Sequence, residues 1–175
     1  MSVTVETINA TAARGLGLAG MMLQGVTPEM FARLPEQNGA RVQTNHAAFV
    51  FGHLSIYPSR IFMAVGEDPA EVRIPEAHEE LFKIGSVCYD DPEGTIYPAM
   101  EEIVKNFQRG YSRALQLVAG WDDEKLGGRH ELGEAYQNMF PTLGIVTNFL
   151  LTSHVMMHLG QVSAWRRMMG LGSAM

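Results

Sequence analysis

The feature that most constrains this chain is a long stretch without a charged side chain near its C-terminus. Between Ala135 and Trp165 the sequence contains no Asp, Glu, Lys or Arg. A stretch of this length can cross a bilayer, but it carries Asn138, His154 and other polar residues, whereas a lipid-facing helix is more uniformly apolar. The sequence therefore predicts a helix buried inside a soluble protein, and no membrane partner.

Size, charge and cysteine content limit the remaining possibilities. The 175 residues suffice for one domain with a real core, and we expect a single domain over residues 1–175. The 13 Lys and Arg residues against 19 Asp and Glu residues give a net charge of −6, which disfavours nucleic acid as a partner. The single cysteine, Cys88, and the absence of a convincing signal peptide predict a cytoplasmic protein.

Apolar residues recur at three- and four-residue steps in four segments, and no segment shows sustained strand alternation. We predict helices over about residues 7–24, 44–65, 98–119 and 141–169, the third clearly amphipathic and the fourth apolar nearly all round. The long connection over residues 66–97 is expected to contain one short helix. Four long helices with one extended crossover predict an all-α, four-helix bundle.

Two histidines, His154 and His158, lie four residues apart in the uncharged helix. At this spacing both imidazoles project from one face and can reach a single metal ion. A plainer interpretation is that both are core histidines bonded to backbone carbonyls. Burial of an imidazole is costly unless each nitrogen has a partner, and a metal ion supplies one.

The second predicted helix offers His46 and His53 as a third metal ligand. They are about 10 Å apart along a helix axis, so they cannot both bind one ion. His53 lies in the middle of the helix beside Gly52, where a small residue lets another backbone approach, whereas His46 lies in the first turn, where a surface or capping role is more natural. We therefore predict a site formed by His53, His154 and His158.

Helices two and four bring no carboxylate to this site, because the sequence has no Asp or Glu between residues 37 and 66 or after Glu134. Three neutral histidines would leave a divalent ion with its full charge, unless helix one or three contributes an acid. Such an ion lowers the pKa of a bound water or thiol and keeps positions open for exchange. The pattern favours a reactive site over a closed structural one.

Three side chains are expected around the three histidines. Gln161 is predicted to support the site, by orienting His158, contacting a bound water or satisfying an internal polar group. Tyr57 and Arg60 lie one and two turns beyond His53 and are candidates for the site mouth. Packing and a surface ion pair are the alternative roles for these two residues.

Four other polar residues are predicted to lie at the surface or at a helix end and to have no part in the site. His78 and His130 lie among charged or glycine-rich neighbours and are predicted to be solvated surface residues. Arg166 and Arg167 could grip an anionic ligand, but cations also suit the C-terminal end of a helix, and we favour that role.

The sequence from His154 to Gly170 resembles the C-terminal signature of the DinB/YfiT-like superfamily. That signature has a histidine pair at this spacing, a Gly-Gln after it and an Arg-Arg…Gly ending. A second segment is similar to the family's helix-two motif, whose histidine is the third ligand, and the resemblance extends over nearly the whole chain. One departure is Val155, where many relatives have an acid. The matching residues here are His154-Val155-Met156-Met157-His158-Leu159-Gly160-Gln161, Arg166-Arg167-Met168-Met169-Gly170-Leu171, Phe51-Gly52-His53-Leu54 and Tyr97-Pro98.

This resemblance implies a four-helix bundle with a long crossover, a divalent metal ion (zinc, nickel or iron) and a homodimer. Some relatives are similar to thiol S-transferases and isomerases that use bacillithiol, mycothiol or glutathione. The resemblance thus implies a metal-dependent thiol S-transferase acting on a low-molecular-weight thiol and an electrophile. Three alternatives stay open: a metal-dependent hydrolase, a non-catalytic dimeric metal-binding stress protein, and a bundle whose histidines only satisfy hydrogen bonds.

Overall fold

A computed structural model describes residues 2–174 of the chain. Within these residues the protein is all-α apart from one small antiparallel hairpin, so the all-α part of the predicted fold class is confirmed. The helices are α1 (Val3–Met22), α2 (Pro28–Phe31), α3 (Ala47–Ala64), α4 (Glu76–Phe82), α5 (Met100–Ala119), α6 (Asp123–Gly127), α7 (Glu134–Met139), α8 (Leu143–Asn148) and α9 (His154–Met168), and the strands are β1 (Glu36–Gln37) and β2 (Ala40–Arg41).

The C-terminal helical segment is continuous from Leu143 to Met168. A π-helical turn over Phe149–Ser153 joins α8 to α9. The segment is long and apolar enough to cross a membrane, but half of its most apolar window is buried inside the protein. This is the pattern expected of a core helix, as the polar residues within the stretch predict.

Local capping explains where the long helices begin. The Ser2 hydroxyl accepts a hydrogen bond from the Val5 N–H at 3.1 Å, so α1 begins four residues before the predicted start. His46 precedes α3, and its Nδ1 accepts a hydrogen bond from the Phe49 N–H at 3.1 Å. The capping role expected for His46 is therefore observed, in a side chain that is completely buried.

Helix α3 lies at the centre of the packing. It contacts α5, α4 and α9, while α1 packs against both α5 and α9. The approach of α3 to α5 is especially close at Pro58, because a Cβ atom added to Gly110 would lie 2.8 Å from the proline Cγ. Nearly every side chain of α3 is buried as a result, including that of His53.

The connection between α3 and α5 is stabilised by hydrogen bonds within it and by an ion pair to a residue outside it. The buried Asp91 carboxylate accepts hydrogen bonds from the N–H groups of Thr95, Ile96 and Tyr97. Asp90 pairs with Arg33 at 2.9 Å. The predicted short helix is present as α4, which packs on α3 and so brings this connection beside His53.

Candidate metal centre

The structure brings the three predicted histidines together. His53 projects from α3, and His154 and His158 project from α9. One ring nitrogen of each lies within 4.8 Å of the other two, and this arrangement could hold a metal ion. The ring centroids are 5.5 Å apart for His53 and His154, and 4.6 Å apart for each pair that includes His158.

Hydrogen bonds orient two of the three rings. His53 Nδ1 donates to the carbonyl oxygen of Phe82 at 2.7 Å, and His158 Nδ1 donates to Gln161 Oε1 at 3.2 Å. Because both acceptors are carbonyl oxygens, the hydrogen sits on Nδ1 and the lone pair remains on Nε2. Gln161 is itself held by Asn45, whose Nδ2 donates to the same oxygen at 3.0 Å. Such outer hydrogen bonds are typical of histidines that bind a metal ion.

The third ring, that of His154, has a different environment. Its Nδ1 is buried and has no hydrogen-bond partner among residues 2–174. The ring packs between Tyr57, at a centroid distance of 4.2 Å, and Phe149, at 5.5 Å. An imidazole nitrogen buried without a partner costs free energy. One nitrogen of this ring and one of each neighbouring histidine lie within 4.8 Å of one another, so the donor set fits a cation.

The π-helical turn directly precedes His154. The His154 N–H donates to the carbonyl oxygen of Phe149, five residues earlier, instead of to that of Leu150. Single π-helical turns inside α-helices are frequent at functional sites. Here the wider turn sets how the His154 and His158 face of α9 is rotated relative to α8.

Burial keeps all three imidazoles neutral at pH 7. It lowers the pKa of His53, and the hydrogen bond to Phe82 offsets this only in part. Burial, with a further contribution from the two neighbouring rings, lowers the pKa of His154 to about 3. Burial also lowers the pKa of His158. Neutral rings keep the lone pairs that a metal ion requires.

Gly52 explains how the Phe82 carbonyl reaches His53. A Cβ atom added at Gly52 would lie 2.5 Å from three carbons of the Phe82 ring. The absence of a side chain thus lets this ring lie against α3 and places the carbonyl of Phe82 beside Nδ1 of His53. The prediction that another backbone approaches at this glycine was wrong in one respect, because the approaching group is the Phe82 side chain.

The histidines line one part of a cavity of about 540 Å³. None of the described residues that line it is acidic, and Lys83 is its one charged residue. Most of its walls are aromatic and aliphatic side chains from α3, α7, α9, the π-helical turn and the segments that follow α4 and α7. These are Phe49, Val50, Tyr57, Ile84, Ala135, Tyr136, Met139, Phe140, Phe149, Leu150 and Met157.

Of the two residues expected at the site mouth, the cavity is lined by Tyr57 but not by Arg60. Burial raises the pKa of Tyr57 to about 12, so its phenol is neutral. Arg60 instead pairs with Glu79 of α4 at 3.1 Å. The alternative role predicted for Arg60, an ion pair at the surface, is therefore observed.

Two histidines outside the site, His130 and His78, are more buried than predicted. The prediction of a solvated His130 was wrong: its side chain is buried, and Nε2 lies 2.8 Å from the carbonyl oxygen of Phe140. His78 is partly buried and lies 3.6 Å from Glu102. Sequence reasoning missed His130 because its partner belongs to a turn ten residues later, and the short helix between them has no periodic signal.

Comparison of the chain with protein-family models, with curated proteins and with solved structures finds no match. The fold and the site define the class: an all-α protein with a cluster of three histidines, two buried and one partly buried, that could hold a metal ion.

Proposed function

We propose that this chain is a metal-dependent thiol S-transferase of the DinB/YfiT-like superfamily. The proposal places it in the cytoplasm and assigns its long helices to a four-helix bundle, in which residues 66–97 form the crossover. The observation that carries the proposal is the cluster of three neutral imidazoles beside a cavity whose described lining residues include no Asp or Glu.

The donor set suits a divalent transition metal, because imidazole is a good ligand for zinc, nickel and iron. When bound, such an ion would lower the pKa of a thiol in the open position, so that the reactive thiolate forms at neutral pH. None of the described residues that line the cavity has a carboxylate to offset the charge of the ion. An anionic sulfur is therefore the natural occupant of the position left open by His53, His154 and His158.

The chain's own residues would position the reactants. His53 and His158 are held by the Phe82 carbonyl and by Gln161, so the site is organised before a ligand arrives. The apolar walls would keep water away from the electrophile. In the reaction, the thiol proton passes to solvent, the sulfur lone pair forms a new bond to the electrophilic carbon, and the leaving group departs with its electron pair.

The cavity lining favours thiol transfer over hydrolysis. A bound ion would itself activate a water, but the proton transfers to the leaving group in hydrolysis are usually assisted by a general acid or base within hydrogen-bond reach. None of the described residues that line the cavity is an Asp or Glu, and the phenol of Tyr57 is neutral. A thiolate is already a strong nucleophile and needs no such base.

The proposal is tested on untagged protein in two steps. Metal analysis should find one transition-metal ion per chain, and the loaded protein should conjugate at least one thiol of a broad panel to a chromogenic aryl halide. His158→Ala should abolish metal binding and conjugation, whereas His78→Ala, which removes an imidazole outside the site, should preserve both. A metal-loaded protein that turns over no thiol contradicts the proposed activity, and a protein that binds no metal contradicts the site itself.

A further inference from the structure

We propose that the thiol taken by this site has an uncharged, apolar body, such as an alkyl or aryl thiol. A peptide or sugar thiol that carries carboxylates would not fit the site. This inference rests on the proposed function and names its substrate class. The walls, the mouth and the charges of the cavity each favour an apolar ligand body.

The walls bind an apolar body. Beyond the three histidines, the lining is dominated by aromatic and aliphatic side chains from α3, α7 and the π-helical turn, such as Phe49, Phe140, Phe149 and Leu150. The volume of about 540 Å³ is within the range of small-molecule sites, which is roughly 300–1,000 Å³. A ligand whose sulfur lies at the histidines would therefore have hydrocarbon contacts along the rest of its length.

The mouth of the cavity is apolar as well. Three large apolar side chains that line it are exposed: Ile84 at 78%, Met139 at 70% and Met157 at 55%. They come from three separate segments of the chain, yet they meet around one opening. Methionine side chains adapt their shape to different apolar partners. An apolar ligand would cover this surface, and a strongly hydrated one would leave it in water.

The charges argue against a ligand with ionic groups on its body. Lys83 is the one cation among the described lining residues, and its ammonium lies 2.5 Å from the Glu80 carboxylate. A thiol with two carboxylates and an ammonium would have to lose water from these groups without finding a free charged partner. Among the uncharged polar groups of the lining, Asn45 is engaged with Gln161 and Ser86 with the Glu80 carbonyl oxygen, which leaves the hydroxyls of Tyr57 and Tyr136.

The test uses the protein loaded with Co²⁺, because a thiolate bound to cobalt gives a charge-transfer absorption in the near ultraviolet. Titration with ethanethiol, butanethiol and hexanethiol should show affinity rising roughly threefold to fourfold per methylene. Glutathione should bind more weakly than hexanethiol. An affinity that does not change with chain length, or glutathione binding as tightly as hexanethiol, overturns the inference.

A matched pair of variants checks that the affinity gain arises in this cavity. Met156 and Met157 are neighbours on α9 and both are exposed, but only Met157 lines the cavity, since Met156 lies beside Gly15 of α1. Met157→Gln should reduce the gain per methylene, and Met156→Gln should leave it unchanged. Equal effects of the two changes contradict the assignment.

The two proposals fail in different ways. If the cobalt-loaded protein binds hexanethiol tightly but conjugates no thiol to an electrophile, the proposed function fails and the ligand class stands. If glutathione is conjugated at least as efficiently as hexanethiol, the ligand class fails and the proposed function stands. If no thiol produces the charge-transfer absorption although cobalt is bound, both fail.

Discussion

At the scale of single residues, the position of His53 depends on what is missing at Gly52. Any side chain there would displace the Phe82 ring and with it the carbonyl that orients the imidazole. We expect Gly52→Ala to weaken zinc binding by about 10- to 100-fold, as is typical when an outer partner of a ligand is lost. Competition with a chromogenic chelator measures this affinity.

Two further variants separate this effect from general damage to the fold. Gly17→Ala on α1 should leave zinc affinity unchanged, because an added Cβ there has no neighbour within 4 Å. Gly52→Ala combined with Phe82→Leu should recover part of the affinity, since the smaller side chain makes room for the new methyl group. Unchanged zinc affinity in Gly52→Ala would contradict the role given to the Phe82 carbonyl.

His46 gives the protein a stability that depends on pH. Burial lowers the pKa of its imidazole to about 4, while an unfolded chain would titrate at its ordinary value near 6.5. The unfolded state therefore binds the proton first as the solution is acidified. Stability from this residue is complete above pH 6.5 and is lost as the pH falls towards 4, by up to about 3 kcal/mol.

Urea unfolding at several pH values tests this expectation. His46→Asn retains a side-chain acceptor for the N-terminus of α3 but cannot titrate. The difference in the free energy of unfolding between the wild type and this variant should shrink between pH 7 and pH 4.5. A difference that is independent of pH would show that the His46 imidazole does not titrate in this way.

At the scale of helices and loops, the long elements were predictable because each carries an apolar periodicity over many turns. The predicted and observed bounds agree within two residues at both ends of α5 and at the end of α3. The short helix α7 was not predictable, because it buries none of its residues and so has no apolar stripe. The π-helical turn was not predictable either, because no pattern in the sequence indicates it.

The three histidines of the site were predictable from the sequence, whereas the residues that orient them were not. The convergence of His53, His154 and His158 follows from spacing and from mid-helix positions, both of which are visible in a sequence. The partners Phe82 and Asn45 could not be predicted, because the first acts through its backbone and the second has no pattern around it. Their roles depend on how α4 and the start of α3 pack.

Arg166 links α9 to α1 through hydrogen bonds. The sequence predicted instead that it acts as a cation at the C-terminal end of its own helix, α9. Its buried guanidinium donates from Nη1 to the carbonyl oxygens of Met22 and Gln24, at 2.8 and 2.6 Å. These groups lie at the C-terminal end of α1, where a cation is favourable. Arg166→Met should lower the free energy of unfolding by about 2–3 kcal/mol, since two carbonyls lose their donor.

The neighbouring arginine provides the control for this prediction. Arg167 lies in the same last turn of α9, but its side chain is exposed. Arg167→Met should change the free energy of unfolding by no more than about 0.5 kcal/mol. Equal losses in the two variants, measured by urea unfolding, would indicate that the cations act only on the end of α9.

At the scale of the whole molecule, the largely uncharged helix α9 has two different surroundings. The first is the interior, where α9 contacts both α1 and α3 and buries Val155, Leu159 and Trp165. The second is an exposed side of α9, at intervals of four residues, where Met156, Gly160, Ala164 and Met168 lie. This exposed side has two small residues that allow another backbone to approach, and its one charged residue is Arg167 in the last turn.

We predict that two chains associate through this side of α9. Light scattering should then find a particle of about twice the 19.3 kDa mass of one chain. Ala164→Glu should convert it to a single chain, because it places a large charged side chain where the small alanine lets the second chain approach. The same substitution at Ala77, an exposed position in α4, should leave the dimer intact. A wild-type particle of 19.3 kDa would contradict the dimer, and an effect of Ala77→Glu equal to that of Ala164→Glu would contradict its location.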